Sequence, residues 1–377
     1  MQCRIAVVFE FPTLNGGERS MLQVFDALDR SRWDVVALAP AAGPLAEELA
    51  ARSIFTVPFR VRDGEGDKLP ASVLLEQLVR HARATDVDVI HANSLSMGRL
   101  TGALASRLKA PCVAHLRDIL RLSHTAVADL NRNDRLVAVS HAARDYHIGQ
   151  GIDSRRVAVV HNGIDCNHWA PRQPTGALRA ELGIPQDAFV VLSVGQIGLR
   201  KGQDVLARAV KCGGDEFAQV HCVVVGERNS EKQESVEFER MVRAEFATGP
   251  LANRIHWLGR RNDIKFLMTE ADLLVHCAHQ EPLGRVLLEA AASGLPIVAT
   301  DVGGTAEILV DGESAMLVQP GSPDDLAGTL AAMLRSDALR AGFSRAARDT
   351  VRTRFDIESA AARLAAVWDQ ALESSEE

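Results

Sequence analysis

Residues 190–202 read VVLSVGQIGLRKG, an apolar run, a turn carrying Gly195, Gly198 and Gly202, and two adjacent cations, with helical character beginning near Gln203. A strand that ends in a glycine turn and opens a helix is the repeating unit of an α/β fold, because parallel strands need long crossovers and the crossover helices cover the sheet. Downstream the alternation continues, with strands expected at Val220–Val225, Ile255–Trp257, Leu273–His276, Pro296–Ala299 and Met316–Val318. Upstream a separate series is expected at Ile5–Phe9, Val35–Leu38, Ile54–Val57, Val89–His91, Cys112–His115, Leu136–Val139 and Val157–Val160. Helical segments at Met21–Leu28, Val73–Ala84 and Gly98–Leu108 fall between those strands.

The two series part at Trp169-Ala170-Pro171-Arg172-Gln173-Pro174-Thr175-Gly176, whose polar, proline-bearing composition reads as a linker. Residues 1–168 are therefore expected to form one Rossmann-like domain and residues 169–355 another. Helices at Leu326–Leu334, Leu339–Arg352 and Ser359–Leu372 close the chain, and the last, within 356–377, is expected to return to the first domain. A length of 377 residues suits two domains that each bury a core.

Charged residues make up 24% of the chain and AVILMFWYC residues 47%, the balance of a protein that folds throughout. A net charge of -7 argues against a general nucleic-acid binder, although a local basic cluster can still hold phosphate. Cys3, Cys112, Cys166, Cys212, Cys222 and Cys277 are scattered, with no C-x-x-C pair and no His at zinc-ligand spacing, so reduced thiols in a cytoplasmic protein are the plain reading. No apolar run approaches the roughly 18–20 residues that a membrane span needs. Segment Ile119–Arg132 mixes apolar and basic residues; peripheral contact with the inner membrane face is one reading and a surface helix or loop the other.

Open parallel sheets bind ligands beyond the carboxyl ends of their strands, which selects the residues that follow each strand. Arg200 and Lys201 put two cations near a helix N-terminus, where a planar fork and a mobile point charge can serve different oxygens of a diphosphate. The competing reading is a solvated basic turn. After Leu273–His276 comes His279-Gln280-Glu281-Pro282-Leu283-Gly284-Arg285, and Glu289 lies on the helix beyond it. Pro282 and Gly284 tighten the connection, so both carboxylates can border one pocket; one would favour positive charge developing on a transferred sugar, and the other would accept hydrogen bonds from ribose hydroxyls. The alternatives are a helix cap for Glu281 and a surface ion pair for Glu289.

Together these residues resemble the retaining nucleotide-sugar glycosyltransferases of family 4, over nearly the whole chain. The resemblance rests on Glu281 and Glu289 with seven residues between them, Arg200-Lys201 before Gly202 and Asp204, Asn162-Gly163-Ile164-Asp165, and Gly303-Gly304 before Glu307. It implies a GT-B fold, two facing Rossmann-like domains with a cleft between them, the first on the acceptor side and the second binding the donor. It also implies that Glu281, Arg200, Lys201 and His115 are catalytic, with His115 beside the transferred sugar. Glu289, Gly16, Gly17, Leu283 and Gly284 are implied to bind donor, and Asn93, in His91-Ala92-Asn93-Ser94, to shape the acceptor side. Read locally, Asn15-Gly16-Gly17-Glu18-Arg19 is a strand-to-helix turn and Ser140 a helix cap. Pro282-Leu283 stands where many members carry Gly-Phe.

The activity so implied is hexosyl transfer, with retention, from a nucleotide diphosphate sugar to an acceptor sugar, lipid or small metabolite, without cofactor or metal. Asp86-Val87-Asp88 looks like a metal-binding D-x-D, but it precedes a strand instead of following one and reads as a solvated turn. A nicotinamide dehydrogenase would show G-x-G-x-x-G after its first strand, and none is present. A nucleotide-sugar hydrolase or epimerase, and a non-catalytic sugar-binding protein, remain the alternatives.

Overall fold

The computed structural model describes residues 2–248 and 252–376. Met1 and Glu377, the outer limits of the expected first domain, lie outside the described residues. The chain forms two compact units, one of Met1–Gly163 with Asp356–Glu377 and the other of Ile164–Phe355.

The first unit is built on a seven-stranded parallel sheet: β1 (Cys3–Val8), β2 (Trp33–Ala39), β3 (Phe55–Pro58), β4 (Val89–Ala92), β5 (Cys112–Leu116), β6 (Arg135–Ala138) and β7 (Val157–Val159). The spatial order is β3-β2-β1-β4-β5-β6-β7, so the winding reverses between β1 and β4, where Val8 pairs with Ala92. Such a reversal leaves a crevice at the carboxyl ends of the two strands. Ile5 to Phe9 are all buried, as a strand covered on both faces requires.

One cover is the terminal helix Ile357–Glu376, which contributes Ala361, Leu364, Val367, Trp368 and Ala371 to the core of this unit. Trp368 meets Trp33 edge to face, ring centroids 5.3 Å apart. The helix is therefore part of the first unit although the second lies between them in sequence. A side chain at Gly163 would fall 2.7 Å from the Ile357 Cα, so a residue without Cβ lets the outgoing and returning segments lie together.

The second unit carries β8 (Phe189–Val194), β9 (Val220–Val225), β10 (Ile255–Trp257), β11 (Leu273–His276), β12 (Ile297–Thr300) and β13 (Met316–Val318), all parallel in the order β10-β9-β8-β11-β12-β13. Its winding reverses between β8 and β11. Every expected strand is present, with ends within two residues of expectation. The first helix begins at Gly16, earlier than its apolar periodicity shows, because two glycines form its opening turn and Glu18 accepts the Asn15 amide at 3.1 Å.

The stretch read as a linker belongs to the packed second unit. Trp169 is buried, and the Thr175 amide and hydroxyl both donate to Glu270 Oε1, at 2.6 and 2.8 Å. Prolines and polar residues report irregular backbone there, and irregular backbone can still be pinned.

Removing residues 356–377 strips the apolar cover from the first sheet, and we expect that chain to lose the cooperative unfolding of its N-terminal unit. Trp33→Ala, which empties only the partner of Trp368, should cost about 3–5 kcal/mol. Urea unfolding followed by tryptophan fluorescence measures both.

Candidate active site

Each unit gathers polar side chains at the point where its own winding reverses. In the second unit the gathering begins with backbone. The turn after β8, a short 3-10 helix Leu199–Lys201 followed by Gly202, lies against the turn after β11: the Arg200 carbonyl accepts the His279 amide at 2.8 Å. Gly202 has φ +64, and a Cβ there would sit 1.9 Å from the Cys277 oxygen, so only glycine fits on both counts. The turn after β12 is joined on the other side, with the Gly304 amide donating to the Glu281 carbonyl at 2.9 Å. The Thr300 hydroxyl adds a bond to the Ala278 carbonyl at 2.6 Å. Three successive strand ends are thereby one fixed piece.

On that piece Lys201 Nζ lies 2.6 Å from Glu281 Oε2. The same oxygen accepts from His276 Nε2 at 2.8 Å. His276 is the last residue of β11, Glu281 is 6% exposed, and neither group has bulk water to solvate it. Burial alone would raise the Glu281 pKa, but the Lys201 charge and the His276 hydrogen bond outweigh it and hold the carboxyl well below its ordinary range. Burial, then the Lys201 charge, lower the His276 pKa despite its acidic partner, so the ring is neutral with its proton on Nε2. Glu281 is thus a fixed anion.

Arg200 is exposed, and its guanidinium makes no ion pair among the described residues. Lys201 is the member of the cationic pair that the fold brings to Glu281. Glu289 is 8% exposed, on the helix Arg285–Ser293, with Arg285 Nε 2.7 Å from its Oε1 one turn away. It is therefore paired, as the bland alternative had it, but within the protein. Gly284 precedes that helix with φ +102, and Leu283 is buried.

The cluster of the first unit lies at the ends of β1, β4 and β5. Asn93, 2% exposed, donates from Nδ2 to the Gly17 carbonyl at 3.3 Å and accepts from Arg117 at both its backbone oxygen, 3.1 Å, and Oδ1, 2.8 Å. Arg117 Nη1 also reaches Asn162 Oδ1 at 3.1 Å. Gly17 lets the Arg117 stem pass, since a Cβ would lie 3.1 Å from Arg117 Cδ, whereas Gly16 is exposed with open space around it. His115 Nδ1 lies 3.2 Å from Arg117 Nη2 and 2.7 Å from His91 Nε2. Burial and then the Arg117 charge push His91 down to about 3, and the same causes carry His115 well below its ordinary value. Both rings are neutral.

His276, Arg117, Arg285 and Trp368 were not singled out from the sequence. A histidine that closes a strand and precedes an acidic loop is the one signal that could have marked His276; the direction of a side chain at a strand end is not written in the letters. Asp86 and Asp88 lie in an exposed turn before β4, where Asp88 Oδ2 accepts the Arg4 amide at 2.7 Å. Ser140 caps its helix by accepting the Ala143 amide at 2.9 Å. Segment 119–132 is a loop followed by the helix His124–Leu130, and no helix among the described residues is long and apolar enough to cross a membrane.

The sequence pattern described as Glycosyltransferase Family 4 matches residues 14–168, and that described as Glycosyl transferases group 1 matches residues 175–350. A D-inositol 3-phosphate glycosyltransferase of Xylanimonas cellulosilytica is 29% identical over 306 residues, 75% of this chain and 72% of that protein. A UDP-Gal:alpha-D-GlcNAc-diphosphoundecaprenol alpha-1,3-galactosyltransferase of Escherichia coli is 25% identical over 344 residues, 87% of each. Among solved structures, HepE of Anabaena in complex with UDP and glucose aligns at a TM-score of 0.85 and 26% identity, over 98% of this chain and 100% of that one.

Because Glu281 is held below its ordinary value of 4.5, its pairing contributes stability above that pH, and the contribution is lost as pH falls through the lower folded pKa. The second unit should therefore weaken progressively below about pH 4.5, and Glu281→Gln should flatten that part of the curve. Thermal melts from pH 7 down to 3 compare the two. Gly202→Ala should destabilise the unit by at least about 2 kcal/mol, read by the same melts.

Proposed function

Since the chain belongs to the glycosyltransferases, its two Rossmann-like units matching Glycosyltransferase Family 4 and Glycosyl transferases group 1 in a GT-B architecture, we propose that it transfers a hexose from a nucleotide diphosphate sugar with retention and without a metal. The observation that carries the reading is the buried anion Glu281 held by Lys201. A donor that breaks its anomeric C–O bond leaves negative charge on the diphosphate and positive charge on the sugar ring. The fixed carboxylate favours the ring charge, and Lys201 with the exposed Arg200 takes the diphosphate.

The electron pair of the breaking bond goes to the diphosphate oxygen. The acceptor hydroxyl forms its new bond to the anomeric carbon on that same face, and its proton passes to the departing phosphate. No protein nucleophile is needed, and a carboxyl held far below neutrality is unsuited to supply a proton. Glu289, positioned by Arg285, accepts from the ribose hydroxyls. The amides of Gly16 and Gly17, at the start of a helix, receive phosphate or acceptor, and His115 serves the transferred sugar.

HepE, solved with UDP, with UDP-glucose and with UDP plus glucose, supports a uridine diphosphate hexose as donor. The relatives' acceptors, an inositol phosphate and a lipid-linked sugar, support a hydroxyl of a polyol or sugar as the group that receives it.

A panel of UDP-, GDP- and ADP-sugars followed by nucleotide release should single out a UDP-sugar. Lys201→Ala should lower kcat about 100- to 1000-fold with that donor, whereas a chelator should leave the wild-type rate unchanged. Normal turnover by the Lys201 variant refutes the assignment of that residue, and chelator inhibition reversed by Mn2+ refutes the metal-free one.

A further inference from the structure

The first unit contains a chain of hydrogen bonds that begins in the terminal helix and ends at His115. The Trp368 indole, fully buried, places Nε1 3.0 Å from His91 Nδ1. His91 Nε2 is 2.7 Å from His115 Nδ1, and Arg117 Nη2 approaches that same His115 nitrogen at 3.2 Å. An imidazole can donate or accept at either nitrogen, but an indole N–H and a guanidinium only donate. The two ends of the chain therefore admit one arrangement of protons. His91 Nδ1 must accept from Trp368, which puts the His91 proton on Nε2; that proton points at His115 Nδ1, which must accept from it and from Arg117. The reverse order would set an N–H against an N–H at both ends, inside a core that offers no water to separate them.

We propose that Trp368 is a positioning residue for His115, acting through His91, and that the pair of donor-only groups fixes His115 with its proton on Nε2. The proposal rests on the reading of His115 as a group at the transferred sugar. His115 Nε2 has no partner among the described residues, so the chain presents one N–H donor of fixed direction. Such a ring donates a hydrogen bond and takes up no proton: Nε2 already holds one, and Nδ1 is occupied by two donors. It cannot deprotonate the acceptor hydroxyl, which leaves that proton to the departing phosphate. The terminal helix, far from His115 in sequence, sets the chemistry of that residue through His91.

Long-range 15N–1H spectra of the histidine rings test this directly. In the wild-type protein His91 and His115 should both appear as Nε2–H rings; a His115 proton on Nδ1 overturns the proposal. In Trp368→Phe, which keeps an aromatic ring but removes the donor together with part of the indole's volume, the His91 Nδ1 resonance should move to that of an unbonded nitrogen. There kcat should fall about tenfold while the donor KM changes by less than about twofold. An unchanged His91 resonance together with an unchanged kcat overturns it.

Should Trp368→Phe fold poorly, His91→Gln and His91→Leu carry the same question. Glutamine can accept from Trp368 and donate to His115, so kcat should stay within about threefold, whereas leucine should lose about tenfold or more. Equal losses in the two show that His91 only fills space, and overturn the proposal. A His115→Ala variant as active as wild type overturns the reading of His115 itself while the measured proton order stands, which tells the two failures apart.

Discussion

A single carboxylate oxygen, Glu281 Oε2, accepts from Lys201 at 2.6 Å and from His276 at 2.8 Å in a place that water hardly enters. Removing a charge from water costs several kcal/mol, and only close partners of the right polarity offset it. The turns after β8, β11 and β12 must therefore hold their side chains in register, or the carboxylate would be left unpaired. The glycines, the backbone bonds and the threonine that join those turns have their physical reason in that requirement.

The first unit meets a related constraint around a pair of neutral rings. Asn93 and Arg117 tie the glycine turn after β1 to the ends of β4 and β5, and the two histidines beside them lose their charge to burial. In one unit a buried charge is fixed by one partner of opposite sign and one neutral donor; in the other a pair of neutral rings is fixed by donors at both ends. Both devices hold a group in one protonation state, the condition under which an electrostatic contact costs no reorganisation when bonds change.

Much of this was legible in the letters. The two strand series could be read because each strand is a short apolar run bounded by glycine, proline or polar turns, and the rule that ligands sit past strand ends then selected Arg200, Lys201, Glu281 and Glu289, whereas His115 was implied only by the family resemblance. The linker reading of residues 169–176 failed because composition reports backbone irregularity and says nothing of a buried Trp169 or a Thr175 bound to Glu270. Partnerships were hidden for a different reason. Lys201 and Glu281 are 80 residues apart, and Trp368 and His91 are 277 apart, so nothing local in the sequence joins them. The pairing of Glu289 with Arg285 was open to a helical i, i+4 reading, but its burial was not.

The welded turns of the second unit also limit how relatives of this chain can diverge. An insertion in any of them would break the bond from the His279 amide to Arg200, or from the Gly304 amide to Glu281, and displace the neighbouring turn with it. Length changes are thereby disfavoured at three separate points of the sequence at once, and drift there is confined to exchanges of outward side chains such as Leu199 and His279. A new substrate preference is reached on this frame by repainting its surface, while the frame keeps its shape.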